Sequence, residues 1–139
     1  MKTQRVVLFA AVSTLILMLG AIAGFHELFA VAPPSPSIVH NLHVMKVQNK
    51  WKVLEDSTKT RVVAKREDYI VWKAKDSDVY FQFPDSTLFK TEIGKATAVK
   101  PLRLQVSSTA DTGRYPYAAF CMKDSAYATG DSPPVIIVR

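Results

Sequence analysis

The chain has 139 residues, with 18 Lys and Arg against 12 Asp and Glu for a formal charge of +6, which leaves room for one domain and an N-terminal segment. One cysteine in the whole sequence excludes an internal disulfide, so the core must hold the fold unaided. The charges alternate in sign, as in Lys65-Arg66-Glu67-Asp68 and then Lys73, Lys75, Asp76 and Asp78, which describes a solvated surface and not the one-sided basic groove of a nucleic-acid binder.

Met1-Lys2-Thr3-Gln4-Arg5 is short and basic, and the run from Val6 to Phe25 then carries no charge. A helix of about 20 apolar residues spans the hydrocarbon core of a bilayer, whereas the apolar part of a cleaved signal is typically about 7–15 residues. Lys2 and Arg5 place the N-terminus in the cytoplasm and all that follows across the membrane. Ala21-Ile22-Ala23 followed by Gly24 also has the small-x-small form of a signal-peptidase site. Residues 1–32 therefore read as an uncleaved anchor or a signal sequence. The first leaves an inner-membrane, single-pass protein with its domain in the periplasm or on the extracytoplasmic side; the second leaves a secreted or periplasmic one. Residues 33–39, with Pro33-Pro34-Ser35-Pro36-Ser37, form a Pro/Ser-rich linker stiffened towards polyproline II.

Residues 40–139 form the domain, and from Ile38 onward the pattern has period two. Leu42 and Val44 share a face, opposite His43 and Met45; Gln48-Asn49-Lys50 turns the chain into Trp51-Lys52-Val53-Leu54. Arg61-Val62-Val63-Ala64 and Tyr69-Ile70-Val71-Trp72 follow, then Val79-Tyr80-Phe81-Gln82-Phe83 with Val79, Phe81 and Phe83 inward. Ser86 to Phe89 reads as one helical turn capped by Asp85 or Ser86. Leu102 to Val106 alternates strictly, Arg114 to Cys121 follows a polar turn, and Val135-Ile136-Ile137-Val138 closes the chain. Seven or eight short strands predict an all-β antiparallel sandwich or partly open barrel. Trp51, Trp72, Phe81 and Phe83 are assigned to its core, and Gly113 and Gly130 to turns flanking the cysteine loop.

Three passages resemble the cupredoxins, the β-sandwich domains that carry mononuclear copper. Glu67-Asp68-Tyr69-Ile70-Val71-Trp72 is similar to the family's Gly-Asp-x-Val-x-Trp strand. Leu102-Arg103-Leu104-Gln105-Val106 through Gly113-Arg114-Tyr115-Pro116-Tyr117 resembles the strand pair that leads to the metal loop, and Phe120-Cys121 with Gly130 to Val138 resembles the cysteine and closing strands. The resemblance implies a Greek-key sandwich. It also implies a copper ligand set of two imidazoles and a thiolate, often with a distant methionine. The family's histidines would fall in Asp76 to Phe81 and in Met122 to Gly130, and neither stretch contains one; His26, His40 and His43 all come earlier.

No phosphate loop, paired-cysteine spacing or His-Glu-x-x-His helix is present, and the carboxylates form no acid–base pair, so no catalytic residues are assigned. Three readings of Cys121 stay open: a buried core thiol, a disulfide bridge between two copies, or a metal ligand working with Met122 in a copper-handling or redox protein. The loop pole beside the cysteine strand, with Asp76, Asp78, Tyr80, Tyr127 and Asp131, is the candidate recognition surface. The expected role is a non-enzymatic binding or structural module of a bacterial envelope that has lost type 1 copper, its partner an envelope protein or a small ligand.

Overall fold

Apolar and polar side chains alternate through most of the domain, and strand pairing buries one phase of that alternation. The protein is described here by a computed structural model covering residues 35–129 and 133–139. The anchor or signal reading of residues 1–32, and Gly130, Asp131 and Ser132 of the candidate loop, lie outside the described residues. Among the described residues no helix is long and apolar enough to cross a membrane.

Eleven strands are present among the described residues: β1 Val39–Val47, β2 Lys50–Glu55, β3 Arg61–Ala64, β4 Tyr69–Ala74, β5 Val79–Gln82, β6 Ile93–Ala96, β7 Leu102–Gln105, β8 Gly113–Pro116, β9 Ala118–Cys121, β10 Ala126–Tyr127 and β11 Val135–Val138. The sequence reading of seven or eight strands missed β6 and β10. It also took β8 and β9 as one strand. The chain bends at Tyr117, whose amide bonds Pro134 O, so β8 pairs with β11 and β9 pairs with β5.

One layer has the order β2-β1-β4-β7. The other is built from β3-β11-β8 and β10-β9-β5-β6, joined through the continuous run of β8 into β9. Most pairs are antiparallel, but β1 with β4 and β3 with β11 are parallel. The fold is therefore a mixed all-β sandwich, a correction to the purely antiparallel expectation. Parallel neighbours need a crossover connection, and β2 and β3 supply it between β1 and β4.

Trp72 is the hub of the core. It is fully buried, and the rings of Phe81, Phe83, Phe89 and Tyr117 lie with centroids 5.3–5.8 Å from its own, two of them edge-on. Its indole Nε1 donates to the Tyr117 hydroxyl at 3.1 Å, which satisfies the polar atom of each ring. Trp51 is buried too, so all four aromatics assigned to the core are there. The Asp85 carboxylate caps a single turn, accepting from the Thr87 amide, and Lys90 N closes that turn on Ser86 O, as expected for residues 86–89.

Among the described residues, eight non-glycine residues have positive φ and no glycine does. Gln48 (φ 50°) and Asn49 (φ 63°) form the left-handed pair that a two-residue hairpin between β1 and β2 requires. Gly113, expected in a turn, begins β8 in extended backbone with open space where a Cβ would stand. Glu67, at φ 69°, occupies the place where the cupredoxin pattern has glycine. A left-handed residue with a Cβ costs about 1–2 kcal/mol, and glycine returns part of that as unfolded-state entropy. Glu67→Gly is thus expected to stabilise the domain by about 0.5–1 kcal/mol, read as a higher midpoint in urea unfolding.

Candidate functional site

The parity of β9 sends Cys121 inward. Its side chain is fully buried, opposite Val79 of β5 on one side and Ala126 of β10 on the other. Burial first, and the Asp124 carboxylate second, push the thiol up to about 11, so it stays protonated at neutral pH. A bridge between two copies would require this sulfur to leave the core. Met122 follows on the exposed side, its amide bonded to Asp78 O, so neighbours in sequence face opposite ways.

Oxygen and nitrogen groups close the pole beyond Cys121. Ser77, buried, donates to Asp78 O and accepts from the Lys123 amide, tying the β4–β5 turn to the β9–β10 turn. Lys46 Nζ and Trp51 Nε1 both donate to Asp124 Oδ2 at 2.7 Å. Lys46 above all, with Trp51, holds the Asp124 carboxyl below the usual carboxylate range. Asp76, at φ 71°, forms the turn before Ser77 and is exposed.

Both domain histidines are elsewhere. His43 is half-buried on the outer face of β1, opposite Leu54 and Lys73. His40 is six residues before Lys46 on the same strand, about 20 Å along it. Its Nδ1 meets Glu55 Oε1 at 2.7 Å and its Nε2 meets Asp68 Oδ2 at 3.3 Å. The side chains whose bonds close the pole beyond Cys121 are Ser77, Lys46, Trp51 and Asp124, none of them an imidazole. Among the described residues no group of three His, Cys, Asp or Glu is placed to hold a metal ion.

Cys121→Ser puts a hydroxyl into this apolar site and is expected to cost about 1–3 kcal/mol in chemical denaturation. The native thiol should react with a disulfide reagent far more slowly than the unfolded one. Equal rates would show an accessible sulfur.

The expected recognition residues separate. Tyr80 and Tyr127 come together on the outer face of the β10-β9-β5-β6 sheet, where register lines up Tyr127, Phe120, Tyr80 and Lys95 across four strands. Phe120 and Tyr127 meet edge-on at 5.1 Å, and Lys95 Nζ stands 4.9 Å above the Tyr80 ring. Asp78 joins through its bond to Lys95 Nζ, 3.0 Å. This bond and the Tyr80 side chain raise the lysine's pKa. Asp76 stays apart in its turn, and Asp131 lies outside the described residues.

The row lines a cleft of about 510 Å³ together with Ala118 and Ile93. Tyr127 is 66% exposed, Ile93 74% and Tyr80 45%. Three large apolar side chains thus stand open on one sheet. Sequence reasoning missed Phe120, Ile93 and Lys95. Phe120 was accessible to it, since a residue next to an inward Cys121 must point outward.

No family model and no curated protein matches the chain. Solved structures do. Amicyanin from Paracoccus versutus is 14% identical, with 79% of this chain and 88% of that chain covered at a TM-score of 0.43. A mutant amicyanin in its Cu(I) form is also 14% identical, covering 79% and 89% at 0.40. A chain of a heme-copper terminal oxidase dimer, solved by cryo-EM, is 14% identical and covers 99% of this chain and 100% of that one at 0.44.

Proposed function

We propose that the chain is a non-enzymatic, extracytoplasmic binding module of a bacterial envelope, exported or anchored by residues 1–32, with a cupredoxin-like sandwich that no longer holds type 1 copper. Its binding site is the aromatic sheet face, and its ligand is a small, largely apolar molecule. The carrying observation is the outward row Tyr127, Phe120, Tyr80 above a cleft of about 510 Å³. That volume suits a ligand of small-molecule size, and the Lys95–Asp78 pair at the rim offers one polar anchor.

Ligand binding is tested with a library of small apolar compounds, followed by NMR of the full chain in detergent. Binders should shift Tyr80, Phe120 and Tyr127 together, and Tyr127→Ala should weaken them about tenfold, in line with about 1–2 kcal/mol for losing a half-exposed aromatic contact. An unchanged affinity in Tyr127→Ala, or shifts elsewhere only, would overturn the site. Copper is tested separately, by titration with Cu(II) and Cu(I). Strong absorption near 600 nm, about where copper–thiolate bonding absorbs, would reverse the proposed loss of copper. Cu(I) uptake lost in both Cys121→Ser and Met122→Leu would favour a copper-handling protein instead.

A further inference from the structure

The other layer carries a different surface. Outward positions of β2, β1, β4 and β7 are fixed by register, and among them stand Lys50, Lys52, Lys73 and Arg103 with no Asp or Glu. The turns that border the face carry Asp56, Glu67 and Asp76, and Asp124 lines a small pocket together with Lys50 at the edge of the face. Among the described residues no carboxylate is bonded to any of the four cations. Leu54 and Val71 are buried on this same outer face, so the long basic side chains lie over an apolar floor with their charges outward. Arg103 lies flat, its guanidinium carbon 4.1 Å from the Tyr69 ring centre.

We propose that this cationic sheet face docks on an anionic lipid surface. Charge complementarity fixes the sign of the partner, and a flat sheet face presenting long basic side chains fits a planar headgroup layer. Strands of four to nine residues at about 4.8 Å spacing make one broad, flat face. None of the cleft lined by the aromatic row extends to it. A headgroup layer needs neither area nor a pocket, because each cation near it adds roughly fivefold in affinity on its own.

The full chain is mixed with lipid nanodiscs, either zwitterionic or with about one third anionic lipid, and lysine acetylation rates are read by mass spectrometry. On anionic discs Lys50, Lys52 and Lys73 should react at least threefold more slowly than on zwitterionic ones, with Lys90 and Lys100 unchanged. Roughly 0.5 M salt should abolish the difference. In Lys52→Gln/Lys73→Gln the protection of Lys50 should fall, whereas a merely buried lysine would keep it. Equal rates on both discs, or uniform slowing of all lysines, would overturn the proposal. Protection requiring an added acidic protein, and absent on anionic discs, would also overturn it and assign the face to that class of partner.

Discussion

Asp68→Ala is expected to destabilise the domain by about 3 kcal/mol, because it strips a buried carboxylate from three donors at once. Oδ1 accepts from the Ile38 amide at 2.8 Å, and Oδ2 accepts from the Lys65 amide at 2.7 Å and meets the His40 ring. The site pins the entry of β1, the turn before β4 and, through His40, Glu55 at the end of β2. Burial alone would raise the Asp68 pKa, but the amides of Ile38 and Lys65, with His40, outweigh it and hold the carboxyl below 3.8. A carboxylate lowered on folding stabilises above its unfolded pKa. That contribution is therefore present above about pH 4 and lost as pH falls through the folded value. Urea unfolding across pH 2.5–6 should show this acid-side loss in the native chain and a flatter profile in Asp68→Asn; parallel profiles would sink the assignment.

Trp72→Ala should cost more still, about 3–5 kcal/mol for a buried tryptophan, and the isolated variant is expected to be unfolded at 37 °C on that scale. Four aromatic rings contact Trp72, so its loss opens a void between the layers and leaves the Tyr117 hydroxyl without its donor. Burial raises the Tyr117 phenol far above its ordinary pKa, with the Trp72 bond acting the other way. Trp72→Phe keeps most of the volume and gives the readable variant. It should lose roughly half as much stability, and near-ultraviolet dichroism should report the altered ring cluster. A loss below about 1 kcal/mol in Trp72→Phe would mean that the hub is not where the core draws its strength.

The inward phase of the strands was legible because burial at period two leaves a direct trace: Leu42, Val44, Ile70, Trp72, Val79, Phe81 and Phe83 all point where alternation puts them. The pairing was less so. Nothing local distinguishes a parallel neighbour from an antiparallel one, and β1 beside β4 is set by where the β2–β3 excursion returns. β6, Ile93–Ala96, escaped notice because Gly94 interrupts its pattern. A Cβ there would stand 2.5 Å from Leu102 Cδ2, so the glycine reflects close packing and does not mark a break. The candidate site was half legible. Tyr80 and Tyr127 were named, but their meeting depends on the β5–β9–β10 register, which has no signature in either segment alone. His40 with Asp68 and Glu55 was invisible for the same reason, being assembled from three strands' ends.

Thr129 has a role at the rim of the first layer. Its carbonyl accepts from Val53 N at 3.1 Å and its amide donates to Trp51 O at 2.8 Å, so the free side of β2 is already occupied. An unoccupied strand side is a template on which a second chain can add itself. By spending two backbone bonds of a loop on β2, the protein denies that template to its neighbours and discourages growth into fibres. Thr129→Pro, which removes the amide donor, would reopen part of that edge.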